Sequence, residues 1–127
     1  MSFEADLNAH LAGDAGVAQV VGERIWPQIR PETDTALPAI TTLIVDTVPS
    51  NDLDNGDGSL LNKRVQIDVW AEDYDSARNL AELVRTRMKT SATNFSSLMN
   101  SDQDLYEQET KLFRVLMDFS CWYTVPD

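Results

Sequence analysis

The sequence predicts an α+β fold: a mostly antiparallel sheet with two helices packed on one face. Three stretches carry that prediction. In Arg64-Val65-Gln66-Ile67-Asp68-Val69-Trp70-Ala71, apolar and polar side chains alternate, so Val65, Ile67, Val69 and Ala71 share one strand face. Arg64, Gln66, Asp68 and Trp70 take the other. After Glu72-Asp73-Tyr74-Asp75 the period lengthens. Ala77, Leu80, Ala81, Val84 and Met88 now fall at helical spacings, with Arg78, Glu82, Arg85 and Lys89 opposite them. The third stretch, Lys111 to Val125, alternates again. Phe113, Val115, Met117, Phe119, Cys121 and Tyr123 form an apolar face, backed by Leu112, Arg114, Leu116, Asp118, Ser120 and Trp122. Its length and its wholly apolar face predict a central strand.

The other elements follow in chain order. Residues 2–12 read as a short helix capped by Ser2, with Phe3, Leu7 and Leu11 on one side. Gly13-Asp14 breaks it, Asp14 is placed to cap a further helical turn holding Val17, Val20 and Val21, and Gly22 ends that turn. Glu23 to Ile29 reads as extended up to Pro27 and beyond, and residues 30–38 as a polar loop bounded by prolines. Ala39 to Val48 is rich in Ile, Thr, Leu and Val, a strand composition. Pro49 to Ser59 is an acidic, turn-rich loop. In the long helix Asp75 is the expected N-cap, and Arg85, Arg87 and Lys89 suit the negative C-terminal end. Thr90 to Ser101 offers at most a short strand around Phe95, Leu98 and Met99. Asp102 to Thr110 reads as polar connection.

A chain of 127 residues suits one domain spanning 1–127. No apolar run reaches the roughly 20 residues needed to cross a bilayer, so no membrane partner is expected. The acidic start Met-Ser-Phe-Glu-Ala-Asp is unlike a secretory signal. The net charge is −11 and is concentrated early: residues 1–62 hold ten acidic and two basic side chains. Phosphate backbones are held by Lys and Arg, so this balance argues against a dedicated nucleic-acid binder. Cys121, the only cysteine, lies on the apolar strand face and reads as a small buried hydrophobe.

Chemistry is sparsely signalled. There is no phosphate-cradling glycine motif and no paired Cys or His for zinc, and no cofactor is expected. His10 stands without a nucleophile nearby. The acidic loop puts Asp52 and Asp54 at the first and third positions of a calcium loop, but Gly56 then falls fifth and Lys63 takes the place of the closing glutamate. Asp57 belongs to the same loop. The best catalytic constellation is Asp46, Asp68 and Asp118, one from each of three strands, as in a metal-dependent nuclease; no Lys or His assists it. The second sheet face, with Asp68, Trp70, Leu116, Asp118 and Trp122, is too apolar to be left to water. It is the candidate subunit interface.

These residues carry a resemblance. Val65-Gln66-Ile67-Asp68-Val69-Trp70-Ala71 followed by Tyr74 and Ala77-Arg78 resembles the central signature of the tail completion family of tailed bacteriophages. So do Leu7, Leu11, Asp14, Gly16-Val17, Val20, Gly22 and Arg24-Ile25-Trp26-Pro27 near the start, and Leu37-Pro38 before the second strand. Asp104-Leu105-Tyr106, Thr110, Leu112-Phe113-Arg114, Asp118-Phe119-Ser120 and Trp122 extend it to the end. The resemblance implies a small tail-terminator-like subunit without catalytic residues. It further implies assembly in the host cytoplasm as a ring, usually of six. That ring caps the head-proximal end of the tail tube and docks the head-tail connector or stopper protein. The implied partners are other copies of the chain, the major tail tube protein and that connector, with DNA passing through unbound. The loop with Asp52, Asp54 and Asp57 would face the lumen or the tube. A head-side adaptor or stopper is the alternative within the same neck.

Overall fold

A computed structural model describes residues 3–27, 36–49, 60–90, 92 and 94–124. The chain runs α1 (Phe3–Ala12), α2 (Ala15–Val21), β1 (Ile25–Pro27), β2 (Ala39–Pro49), β3 (Leu60–Ala71), α3 (Tyr74–Met88), β4 (Phe95–Glu107) and β5 (Leu112–Thr124). The strands form one sheet in the order β1-β2-β3-β5-β4. Only β1 and β2 run parallel, so the sheet is mixed but mostly antiparallel. The sheet is flanked by three helices rather than two. Gly22 stops α2 with a backbone φ of 59°, a conformation that glycine adopts without steric cost.

The register explains the core. Val69 lies opposite Ile40 on β2 and Val115 on β5, and Ile67 lies opposite Met117; each pair shares one face of the sheet. That inner face joins Phe3, Leu7 and Leu11 of α1, Val17 and Val21 of α2, and Leu80, Ala81, Val84 and Met88 of α3 in a single apolar cluster. The period-two and helical patterns therefore meet on the same side. Phe3 fixes α1 at the far end, with its ring edge-on to Phe95 and Tyr123 at 5.3 and 5.2 Å. Cys121 is fully buried here, and burial pushes its thiol up to about 12.

His10 is buried at the end of α1. Its Nε2 lies 3.0 Å from the Arg87 carbonyl, which only accepts, so that nitrogen carries the proton. Arg87 Nε returns a 2.7 Å bond to the His10 carbonyl. The ends of α1 and α3 are thus clipped to each other, which gives the histidine a structural occupation. Arg24 performs a similar task at β1, donating to the carbonyls of Val20 and Pro38 and so holding α2 to the entry of β2.

Several expectations need correction. The N-cap of α3 is Asp73, whose carboxylate accepts from the Ser76 N–H at 2.8 Å and from its hydroxyl; Asp75 lies in the first turn. β3 begins at Leu60, directly after the expected loop of Pro49 to Ser59, as the sequence predicts. The middle strand is β3, and β5 lies between β3 and the edge strand β4. Asp102 to Glu107 is no connection but the second half of β4. Its polar sequence hid it because Asp102 and Asp104 face inward onto Arg78 of α3, which donates to both at 2.9 and 2.7 Å. The extended reading of 28–29 and the acidic loop with Asp52, Asp54 and Asp57 lie outside the described residues.

Candidate assembly surface

Among the described residues the three helices share the inner cluster, and none of them packs on the opposite, outer face of the sheet. Register places Asp68, Trp70, Leu116, Asp118 and Trp122 together on that outer face, as the alternation required. Asp46 joins them, opposite Arg64. The face is divided by how well each side chain is already satisfied.

The half nearer α3 is closed by internal contacts. Trp70 Nε1 donates to Thr41 Oγ1 at 3.0 Å across two strands, and the Arg114 guanidinium stacks over the indole at 5.1 Å from the ring centre. Beneath them Asp68 is only 7% exposed and accepts two bonds from the Gln66 amide, at 3.0 and 3.3 Å. Burial pushes its carboxyl above the usual range, against the opposing pull of Gln66 and the Arg114 charge. Asp118 is held by Arg64, which donates from Nη2 to Oδ2 at 2.7 Å and from Nε to Oδ1 at 3.2 Å. Leu116 borders a shallow hollow of about 260 Å³ beside that pair. The three aspartates do not converge, because Arg64 occupies Asp118 and Gln66 occupies Asp68. Among the described residues no group of three acidic, thiol or imidazole side chains is arranged to hold a metal ion.

The other half is open. Trp122 is 47% exposed, Val48 53% and Leu98 66%, and Leu60 adjoins them. Val48, Asn62, Trp122 and Ser96 form one row across four strands, with Leu60 one step beyond and Leu98 two residues along β4. Isolated exposed apolar side chains are ordinary; here Val48, Trp122, Leu60 and Leu98 are gathered on one stretch of the outer face. Sequence reasoning named Trp122 but missed Val48, Leu60 and Leu98. Continuing the alternation of β2 to Pro49 and pairing it back onto β3 would have placed the first two beside the tryptophan.

The profile of the family described as "Tail completion protein gp17" matches residues 5–124, nearly the whole chain. The chain belongs to the tail completion protein gp17 family. Membership makes it a structural protein of a virion tail. No curated protein matches it by sequence. Among solved structures, it is similar to a chain in the virion of a native gene transfer agent particle. The two share a fold with a TM-score of 0.76 over 97% of this chain and 95% of that one, at 14% identity. Within Val65–Ala71 the alternation splits by role: Val65, Ile67 and Val69 build the core, and Gln66, Asp68 and Trp70 form the satisfied half of the outer face.

Proposed function

We propose that the chain, acting as one unit over 1–127, is a tail terminator. Copies of it form a closed ring, six in number, on the head-proximal end of the tail tube. The ring stops tube growth and offers its other side to the head-tail connector, and DNA passes through the lumen without specific binding. The observation that carries this reading is the outer face with its exposed Trp122, since a ring subunit needs two complementary side surfaces and buried aromatics commonly anchor such contacts. Within that face we assign subunit contact to Trp122 and the rows beside it. Trp70, Asp68, Asp118 and Leu116 contribute the fitted floor. The acidic segment with Asp52, Asp54 and Asp57 is assigned to the lumen or the tube side, where negative charge would keep DNA moving.

Sedimentation of the purified chain, alone and with the major tail tube protein, tests the reading. The wild type forms rings of about six copies, alone or on tube ends. Trp122→Asp abolishes those rings while leaving the melting temperature within a few degrees, because the indole is already half in water. A wild type that ignores tubes and joins only the head connector would instead make it the adaptor or stopper.

A further inference from the structure

A second surface lies on the helix side of the molecule. Where α3 ends against the edge strand β4, a hollow of about 230 Å³ opens between Met88, Met99, Phe119 and Leu98. Two cations, Arg85 and Lys89, stand at its rim. The hollow is firmly built: the Ser97 hydroxyl donates to the Met88 carbonyl, and the strand shifts register between Met99 and Ser101 beside it. Cations at a helix C-terminus are ordinary complements to the dipole. An apolar hollow between them is not explained by that.

The charge of the rim is only weakly neutralised by the chain's own carboxylates. Of the other arginines, Arg64 is occupied by Asp118, Arg78 by three carboxylates, Arg114 by Glu107 and Arg87 by the His10 carbonyl. Arg85 has only a 3.5 Å contact to Glu82, and Lys89 has no ion-pair partner among the described residues. On a chain of net charge −11, this is positive charge left in reserve beside an apolar hollow.

We infer that this hollow receives the acidic segment 50–59 of a second copy of the chain, with Leu53 in the hollow and Asp52 and Asp54 against Arg85 and Lys89. The chemistry matches in kind and order. The segment holds Asp52-Leu53-Asp54, one apolar side chain between two carboxylates, and carries no Lys or Arg. A donor segment and an acceptor hollow are different surfaces, so the contact is heterologous, the kind that closes rings. The inference rests on the ring reading above and deepens it: the acidic segments at the lumen side also strap each copy to the next.

Two measurements separate failure of the strap from failure of the ring. The first is sedimentation with the tube protein. Both Arg85→Glu/Lys89→Glu and Asp52→Lys/Asp54→Lys weaken ring formation by about tenfold or more, and combining all four changes in one chain restores it. If both charge-reversed variants still form wild-type rings, the strap is overturned and the ring stands. The second is anisotropy of a labelled peptide of residues 50–59 titrated with Asp52→Lys/Asp54→Lys, whose own segment cannot compete. The peptide binds at low salt and releases on Arg85→Glu/Lys89→Glu substitution in that background. No binding there overturns the strap, whatever the wild type does on tubes; binding without any wild-type ring overturns the ring and keeps the hollow's specificity. A fold check by melting temperature accompanies each variant, and Leu53→Asp, which changes no residue of the folded body described here, must also lose the peptide contact.

Discussion

Arg78→Met isolates what holds the second half of β4. The Arg78 guanidinium donates to Asp104 at 2.7 Å, and to Asp102 and Glu82 at 2.9 Å each. Those hydrogen bonds, that of Asp102 first, hold it charged well above its ordinary range. Methionine keeps the apolar stem and removes only the fork. Each such partly exposed pair is worth about 0.2–1 kcal/mol after screening, so three contribute about 0.6–3 kcal/mol. The loss should be local. Asp102 and Asp104 face inward from an edge strand, and without Arg78 they repel one another, while Phe95 to Met99 remain anchored by the core. Urea unfolding should therefore show a drop of about 0.6–3 kcal/mol, and amide exchange should accelerate from Asp102 to Glu107 but not in β3 or β5. In about 0.5 M salt the gap between variant and wild type should narrow. Unchanged protection over Asp102–Glu107, or a loss above about 4 kcal/mol with β3 also exposed, would refute the reasoning.

Two further predictions concern titration. Asp68 has a folded value raised above 3.8 by burial, so the stability it allows at low pH is lost as pH rises through that folded value. Asp68→Asn should be at least as stable as wild type at neutral pH and show a flatter profile between about pH 4 and 7 by urea midpoint; a clear loss at neutral pH would mean the charge is favourably paired. His10 runs the other way. Burial lowers it from 6.5, so its contribution is complete above 6.5 and declines as pH falls from there through the lowered folded value. His10→Gln, which retains a donor for the Arg87 carbonyl, should remove that decline from melting curves recorded at about pH 7.5 and 5.5.

Periodicity made the inner face readable because a buried face imposes its pattern on every residue it contains. The faces of β3, β5 and α3 were legible to the residue for that reason. The same logic explains the failures. Inward-facing residues in the second half of β4 are carboxylates that meet a cation, so no apolar pattern exists there to find. Asp73 and Asp75 are chemically equal candidates for a cap, and only the backbone at Ser76 decides between them. Seven residues of α2 are too few for a helical period to stand clear of a single turn.

The outer face shows a different limit. Alternation says which residues share a face, but not which of them have already found partners. Asp68 and Trp70 carry the strongest sequence signal, and both are spent inside the chain, on Gln66 and Thr41. Thr41 lies 29 residues from Trp70 and becomes its neighbour only through the β2–β3 register. Trp122 lies on the same face toward the other end of β5, where the residue opposite it on β3 is Asn62 and on β4 is Ser96, and its indole remains half exposed. Two tryptophans on one sheet face thus differ in how far the chain itself satisfies them. Trp70 shapes the surface, and its loss should be felt in folding. Under the proposed ring reading Trp122 meets another chain, and its loss should then be felt in assembly alone. The distinction follows from register, and register is set by the core on the other side of the same strands.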